Sequence, residues 1–419
     1  MSTATRLGLL ATAGLSASAL LLLATQGDLL DGGARSPSGP ASSASSPSPD
    51  ASTPEPTEPT EPAEPAPRTA SVMMGGDLLW HDTVWISAQE DAAGTGRAFD
   101  FDPMLAALRP MVQRADVAIC HEEVPFAGVG EPLESYPVFA APRQIAPWIG
   151  SMGFDACTTA SNHSVDQGFE GLATTADLLD RAGVEHVGTF RTAAERRRPV
   201  VVETDQGVRV GIVAGTFGLN GFPLPEDQPW SVSLWDADNL LDQARRAREA
   251  GADIVVVHIH GGTEYDHLPN ADQVALVDLL TRSPDVDLVL GEHAHVVQPI
   301  TKVNGTWVVY GMGNMVAQQE VERPRTYEGI SVEFTFAERP EGGFRVTRAT
   351  YVPTYWTHYT PGSPIRVHRV VDDLAAGRGD RARLLEARAA IREAIDGLGH
   401  TPGVHEGSAL APPGQLRGG

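Results

Sequence analysis

The stretch ADIVVVHIHGGTEY (252–265) decides the fold class. Its apolar run, 252–260, reads as a buried strand, and polar chemistry begins where that run ends, at His258, His260, Glu264 and Tyr265. Helical patterns flank it, at Asp238 to Ala250 before and at Asp272 to Thr281 after. Strand and helix alternating around buried apolar runs means an α/β core. In open sheets of that class ligands bind beyond the carboxyl ends of the strands.

Working outward, the same pattern recurs. SVMMGG (71–76), ADVAIC (115–120), FDACTTA (154–160) and the start of VDLVLGEHAH (286–295) read as strands. Shorter strands are expected from Val200 to Ala214, with a turn at Asp205-Gln206-Gly207. ITKV and TWVVYGMGN around Asn304-Gly305 form a hairpin signal, and GISVEFTF and FRVTRATYV close a β-rich stretch that suggests a second, mixed sheet. Asp102-Pro103 opens a predicted helix toward Arg114, with Pro110 as a possible kink. Further helices are expected over 143–153, Gly168 to Ala182 and 381–396, and the last twenty or so residues read as a loose tail.

Five strand ends carry polar clusters: GGDLLWH (75–81), CHEEVP (120–125), SNHSVDQG (161–168), HIHGGTEY (258–265) and GEHAH (291–295). Asp, Glu, Asn and His are the donor set for divalent ions such as Mn²⁺, Zn²⁺ or Fe²⁺. One such cluster would mean little. Five in step with strand ends point to a metal site.

In this order the blocks resemble the calcineurin-like metallophosphoesterase superfamily. Within it they are closer to the poly-γ-glutamate capsule biosynthesis family, the CapA-type domain. The carrying residues are Gly76-Asp77, HEEVP (121–125), SNHSVDQG, HGGTEY (260–265), GEHAH and Gly313-Asn314, so the resemblance covers roughly residues 70–335. It implies a metallophosphoesterase-like two-sheet β-sandwich flanked by helices, with two divalent metal ions at one sheet edge. Carried over by position, Asp77 binds the first ion and Glu123 bridges. Asn162 and His260 bind the second ion, and His293 and His295 complete the pair. His163 becomes the proton donor or transition-state stabiliser, with Asp166 holding its tautomer and Glu264 doing likewise for His260.

The blocks depart from the family pattern in three places. His121 replaces an Asn and adds either a ligand or only a hydrogen bond. His81 stands four positions after Asp77, where the superfamily has its histidine two positions on. Glu123 bridges with one more methylene than Asp. His258 shares the strand face of His260 and reads as a buried, satisfied histidine.

The rest of the chain speaks to location and partners. Among 419 residues, 31 Lys plus Arg stand against 54 Asp plus Glu, a net charge of −23, which argues against nucleic acid as a partner. Arg6 precedes an apolar run from Leu7 to about Ala24, so residues 1–34 read as a signal peptide or membrane anchor. Residues 35–69, rich in Pro, Ser, Thr, Ala and Glu, are a disordered linker whose TEPTEP repeat favours an extended form. At about 3.1 Å per residue it reaches on the order of 100 Å. The CapA-type domain is expected over 70–360 and a C-terminal helix and tail over 361–419. Cys120 and Cys157, the chain's 2 cysteines, are either a bridge between neighbouring strands or two inert thiols.

Three functions fit these readings. One is an exported, membrane-anchored or secreted metal-dependent hydrolase acting on a phosphoester or an anionic cell-envelope polymer. Another is a non-catalytic protein that handles or tethers such a polymer beside membrane-bound synthesis machinery. A secreted phosphodiesterase unrelated to capsule is the third, and the HGGTEY block argues against it. A polyanion would need local offset of the charge, for which the run Arg191, Arg196, Arg197 and Arg198 is the candidate, unless it is a solvated turn.

Overall fold

The computed structural model describes residues 66–408. The expected signal or anchor over 1–34 and nearly all of the linker over 35–69 lie outside the described residues, as does the end of the tail. No helix among the described residues is long and apolar enough to cross a membrane.

Four parallel strands open the fold: β1 (Thr69–Leu78), β2 (Val117–Glu122), β3 (Ala156–Thr158) and β4 (Glu185–Val187). A second sheet follows, made of β5 (Val200–Glu203), β6 (Arg209–Thr216), β7 (Ile254–His260), β8 (Leu288–Glu292), β9 (Ile300–Val303) and β10 (Thr306–Val309). The chain then returns to the first sheet as β11 (Asn314–Val316), β12 (Glu328–Glu338), β13 (Phe344–Trp356), β14 (Val367–Arg369) and β15 (Val404–Glu406). The orders are β14-β13-β12-β1-β2-β3-β4, with β11 on β1 and β15 on β13, and β5-β6-β7-β8-β10-β9.

Alternation along the strands builds the layers. Val72 and Met74 of β1 pack with Val210, Val256 and Leu290 of the second sheet, while Met73 turns outward to a cluster with Leu105, Trp148 and Ile149. On the far side, Val255, Val257 and Val289 meet Leu240 and Ala244 of helix Ala237–Glu249 and Leu276 and Leu280 of helix Ala271–Thr281. The result is a two-sheet β-sandwich with helices on both outer faces. Each fully buried aliphatic side chain of this size contributes about 1.5–3 kcal/mol.

Two local features differ from the sequence expectation. Residues 102–114 are not one kinked helix but three short segments, Asp102–Leu105, Ala106–Leu108 and Arg109–Arg114. Proline lacks the N–H that would continue a helix, and Pro103 and Pro110 each sit in the first turn of a segment instead. The tail is not wholly loose either, because β15 pairs in parallel with β13 and Glu406 takes hydrogen bonds from Arg388 and Arg392 of helix Arg381–Ile395. The cysteine alternative resolves to a bridge: Cys120 and Cys157 are register neighbours on β2 and β3, with Cα atoms 4.4 Å apart, and they form a disulfide.

β1 changes partner just before the site. Up to Gly75 it pairs with β12, and from Asp77 it pairs with β11, with an irregularity between. Glycine is required there. A Cβ on Gly76 would fall 1.9 Å from the carbonyl oxygen of Gly313. This close approach sets Asp77 opposite Asn314.

Candidate metal centre

The parallel strands of both sheets bring their carboxyl ends to one edge. β1 supplies Asp77, β2 supplies His121 and leads into Glu123, and the loop after β3 supplies Asn162 and His163. β7 ends at His260, and the loop after β8 carries His293 and His295. Strands this apolar are driven into the sandwich, so the polar residues that follow them are drawn into a nearly water-free space: Asp77, His121 and His260 are wholly buried.

Side chains from the two sheets meet there. Asp77 Oδ2 lies 3.1 Å from His295 Nδ1, which is also 2.9 Å from Asn314 Oδ1. Glu123 Oε1 lies 3.8 Å from both His260 Nε2 and His295 Nε2, between the two sides of the cluster. His260 Nε2 is 2.7 Å from Asn162 Oδ1. His121 Nε2 is 3.8 Å from Asp77 Oδ1, while its Nδ1 is held 2.8 Å from Thr158 Oγ1. Two groups of three, Asp77–His121–His260 and Glu123–His293–His295, each gather their donor atoms within 4.8 Å.

His163 stands beside them at a cleft of about 580 Å³ lined also by His81, Phe139, Glu264, Tyr265 and Arg323. Its Nδ1 is 2.7 Å from Asp166 Oδ2, which accepts a further 2.7 Å bond from the Phe139 N–H. Arg323 stacks 4.1 Å over the Tyr265 ring and pairs with Glu320. Tyr265, His293 and His295 have φ of 67°, 103° and 56°, values that side chains other than glycine rarely adopt. Each costs on the order of 1–3 kcal/mol, which the surrounding packing must offset.

Burial governs the electrostatics. It pushes the imidazoles of His121 and His293 down to about 3 and His81 down to about 4, each reinforced by a neighbouring histidine, and it holds His260 well below the ordinary value. These rings are therefore neutral, the state in which imidazole is a ligand. Burial, then the Asp77 charge, raises Glu123 well above the carboxylate range, and Glu292 likewise. His295 goes the other way: burial opposes its charge, but Glu123 and Asp77 outweigh it and raise the ring to about 10.

The donor set fits divalent cations. Asp77 Oδ1, His121 Nε2, both Glu123 oxygens, His260 Nδ1 and His293 Nδ1 are buried without a hydrogen-bond partner. A buried polar atom left unpaired costs about 1–3 kcal/mol, and more when charged, so several at one point mark a place built for a cation.

Comparison with known proteins identifies the family. The family described as "Bacterial capsule synthesis protein PGA_cap" matches residues 71–319. The chain belongs to the bacterial capsule synthesis protein family. Its capsule-synthesis relatives include the PGA biosynthesis protein CapA of Bacillus subtilis (strain 168), 29% identical over 197 residues, 47% of this chain and 50% of that protein. The capsule biosynthesis protein CapA of Bacillus anthracis is 29% identical over 184 residues, 43% of this chain and 44% of the relative. The match thus spans about half the length of either relative. Among solved structures, the calcineurin-like phosphoesterase YfkN of Bacillus subtilis aligns at 15% identity and TM-score 0.42, over 78% of this chain and 97% of that one. The NAD nucleotidase NadN of Haemophilus influenzae aligns at 11% identity and TM-score 0.41, over 83% and 65%.

Within this capsule-synthesis fold the residues singled out from the sequence do not all stand together. Asp77, Glu123, Asn162, His260, His293 and His295 converge, and His121 joins them. His81 belongs to neither donor group; it lies on the cleft and its Nδ1 accepts from the Gln318 N–H at 3.3 Å. Glu264 does not orient His260, whose Nδ1 has no partner; it lines the cleft. His258 is buried as expected but not satisfied, since neither ring nitrogen has a partner and its ring lies 4.6 Å from that of His121. Two side chains of the arginine run are engaged by the chain's own groups. Arg191 binds Asp177, Asp180 and Glu195, and Arg196 donates to the Trp230 and Val232 carbonyls.

Asn220 was not legible as a site residue. It lies on the loop after β6 and contacts both Asn162 and His163. Its only sequence signal, Asn-Gly at 220–221, is that of an ordinary turn.

Proposed function

We propose that this protein is an exported, metal-dependent hydrolase acting in the synthesis of capsular poly-γ-glutamate or a related anionic cell-envelope polymer. What carries the reading is the convergence of unpartnered, buried donor atoms from four strand ends beside a cleft in which His163 is held by Asp166. The family and the Bacillus relatives support the capsule setting.

Asp77, His121, His260 and Asn162 on one side, and Glu123, His293 and His295 on the other, would hold two divalent ions of the Mn²⁺, Zn²⁺ or Fe²⁺ class. When bound, such ions supply Lewis-acid polarisation of the scissile group and a water acidic enough to attack near neutral pH. The chain's own part is positioning and proton handling. Asp166 fixes the His163 ring through Nδ1, so Nε2 is the atom that exchanges a proton with the leaving group at the cleft. Arg323, with its guanidinium over Tyr265, is the arginine on the cleft wall and meets the anionic substrate.

The test is metal content by mass spectrometry on the full chain and on His293→Ala/His295→Ala. Hydrolysis of bis-p-nitrophenyl phosphate and of poly-γ-glutamate is followed on the same samples. Two ions per chain, lost in the variant together with turnover, establish the hydrolase and identify the bond cut. Ions without turnover of either substrate favour polymer handling. No ion after reconstitution with Mn²⁺, Zn²⁺ or Fe²⁺ overturns the metal-site reading.

A further inference from the structure

A chain of hydrogen bonds with only one workable direction runs along the mouth of the site, and one link comes from a loop outside all the strand-end blocks. Asn220 sits in segment 217–222 after β6, at φ 50°, flanked by Gly218 and Gly221. Asp166, accepting from the Phe139 N–H, is a carboxylate anchor that also accepts a hydrogen bond from His163 Nδ1–H. Asn220 Nδ2 lies 3.4 Å from both His163 nitrogens. A point equally far from both ring nitrogens lies over the imidazole and not along either in-plane lone pair, so Asn220 turns an amide N–H to the electron-rich ring face, a contact its carbonyl oxygen would not make, and leaves Nε2 free to exchange a proton. With its nitrogen turned to His163, Asn220 presents Oδ1 to Asn162 and accepts from Asn162 Nδ2 at 3.0 Å. That leaves Asn162 Oδ1 toward His260 Nε2, at 2.7 Å.

The two ends of a side-chain amide are nearly equal in shape and opposite in chemistry, so the partner at one end decides what the other end offers. Only the oxygen of Asn162 is of use to a cation. Turned over, Asn162 would point an N–H₂ at His260 and at the ion beside it.

We propose that Asn220 is a positioning residue that holds the Asn162 amide oxygen-inward and ties that orientation to the His163–Asp166 pair. The consequence for ion binding rests on the metal-site reading above; the amide orientation is a property of the metal-free chain and is measured there independently.

Asn220→Gly removes the side chain while keeping a residue at ease with positive φ. Asn220→Asp keeps an acceptor for Asn162 Nδ2 but loses the donor toward His163. The full chain, labelled with ¹⁵N-histidine and stripped of metal, reports the His260 tautomer by NMR. Calorimetric titration with Mn²⁺ and Zn²⁺ reports affinity. In the wild type and Asn220→Asp, His260 carries its proton on Nε2, facing Asn162 Oδ1. In Asn220→Gly a fraction shifts to the Nδ1–H tautomer, and affinity for one ion falls about 10–100-fold, as expected for loss of an outer orienting group. Asn220→Asp keeps that affinity but alters the His163 ring signals. An Asn220→Gly protein with wild-type His260 tautomer overturns the proposal. If the wild type binds no ion, the metal-site reading falls, and the tautomer alone still decides the role of Asn220.

Discussion

Asp77 Oδ2 lies 3.1 Å from His295 Nδ1, although 218 positions separate the two residues. One closes the carboxyl end of a strand in the first sheet, and the other follows a strand in the second, so this contact spans the open edge of the sandwich. It sets a carboxylate of one donor group against an imidazole of the other, so the two groups are neighbours at one edge.

Loading the site should therefore stabilise the whole fold, because an ion that binds only the folded chain adds RT ln(1 + [L]/Kd). At a thousandfold excess over Kd that is about 4 kcal/mol. Thermal melts of the full chain with chelator and then with Mn²⁺ or Zn²⁺ should show a clear rise in Tm that Asp77→Ala and His295→Ala lose. Equal melting with and without ions would count against the site.

His163→Asn should lower kcat about 10²–10⁴-fold, the usual contribution of a positioned acid or base. Ion content should stay at the wild-type level, since His163 lies outside both donor groups. Asp166→Asn should lose less turnover, because it disturbs the tautomer and leaves the ring in place. A His163→Asn enzyme with undiminished kcat removes His163 from the reaction.

The Cys120–Cys157 bridge closes a sequence separation of 37 residues between two wholly buried side chains. Loop-closure entropy for a loop of that size gives about 4 kcal/mol of stabilisation. The double variant Cys120→Ala/Cys157→Ala should lose stability on that scale in urea unfolding. Thiol titration of the native protein should find no free thiol until denaturant and reductant are added together.

His186 offers a pH test away from the site. Burial opposes its charge, but hydrogen bonds to Glu195 and Asp180 outweigh that and raise its pKa above the ordinary value. A raised histidine stabilises fully below its unfolded value, near 6.5, and loses that contribution as pH climbs through the folded value. Glu195 has the opposite sign: burial opposes its charge, but His186 and Arg191 hold it well below the carboxylate range, so its contribution is complete above the unfolded value and is lost progressively as pH falls from there through the folded one. The Tm gap between wild type and His186→Gln should be full below the unfolded value, near 6.5, and narrow as pH rises through the raised folded value. A gap that widens with pH would reverse the sign.

Much of the site could be read from residue order because its donors follow strand ends, and strand ends are marked by the change from apolar to polar side chains. That is why Asp77, Glu123, Asn162, His260, His293 and His295 were legible one block at a time. His121 was legible as a position but not as a neighbour of Asp77, since its facing depends on the β1–β2 register. His258 looked like any buried histidine; that both its nitrogens lack partners is visible only once the opposite sheet is in place. The helix expected over 102–114 broke into segments because local sterics at Pro103 and Pro110 outweighed the apolar periodicity.

By itself, the sequence determined the layered α/β class, the strand ends that carry chemistry and the family, because hydrophobic period and residue type are local properties. Tertiary structure alone decided the disulfide, the exclusion of His81 from the donor groups, the separation of Glu264 from His260, and the entry of Asn220. Each depends on contacts between segments distant in the chain, and those follow from strand order and register. These are set by how two whole sheets bury their faces against each other, which no single stretch of residues encodes.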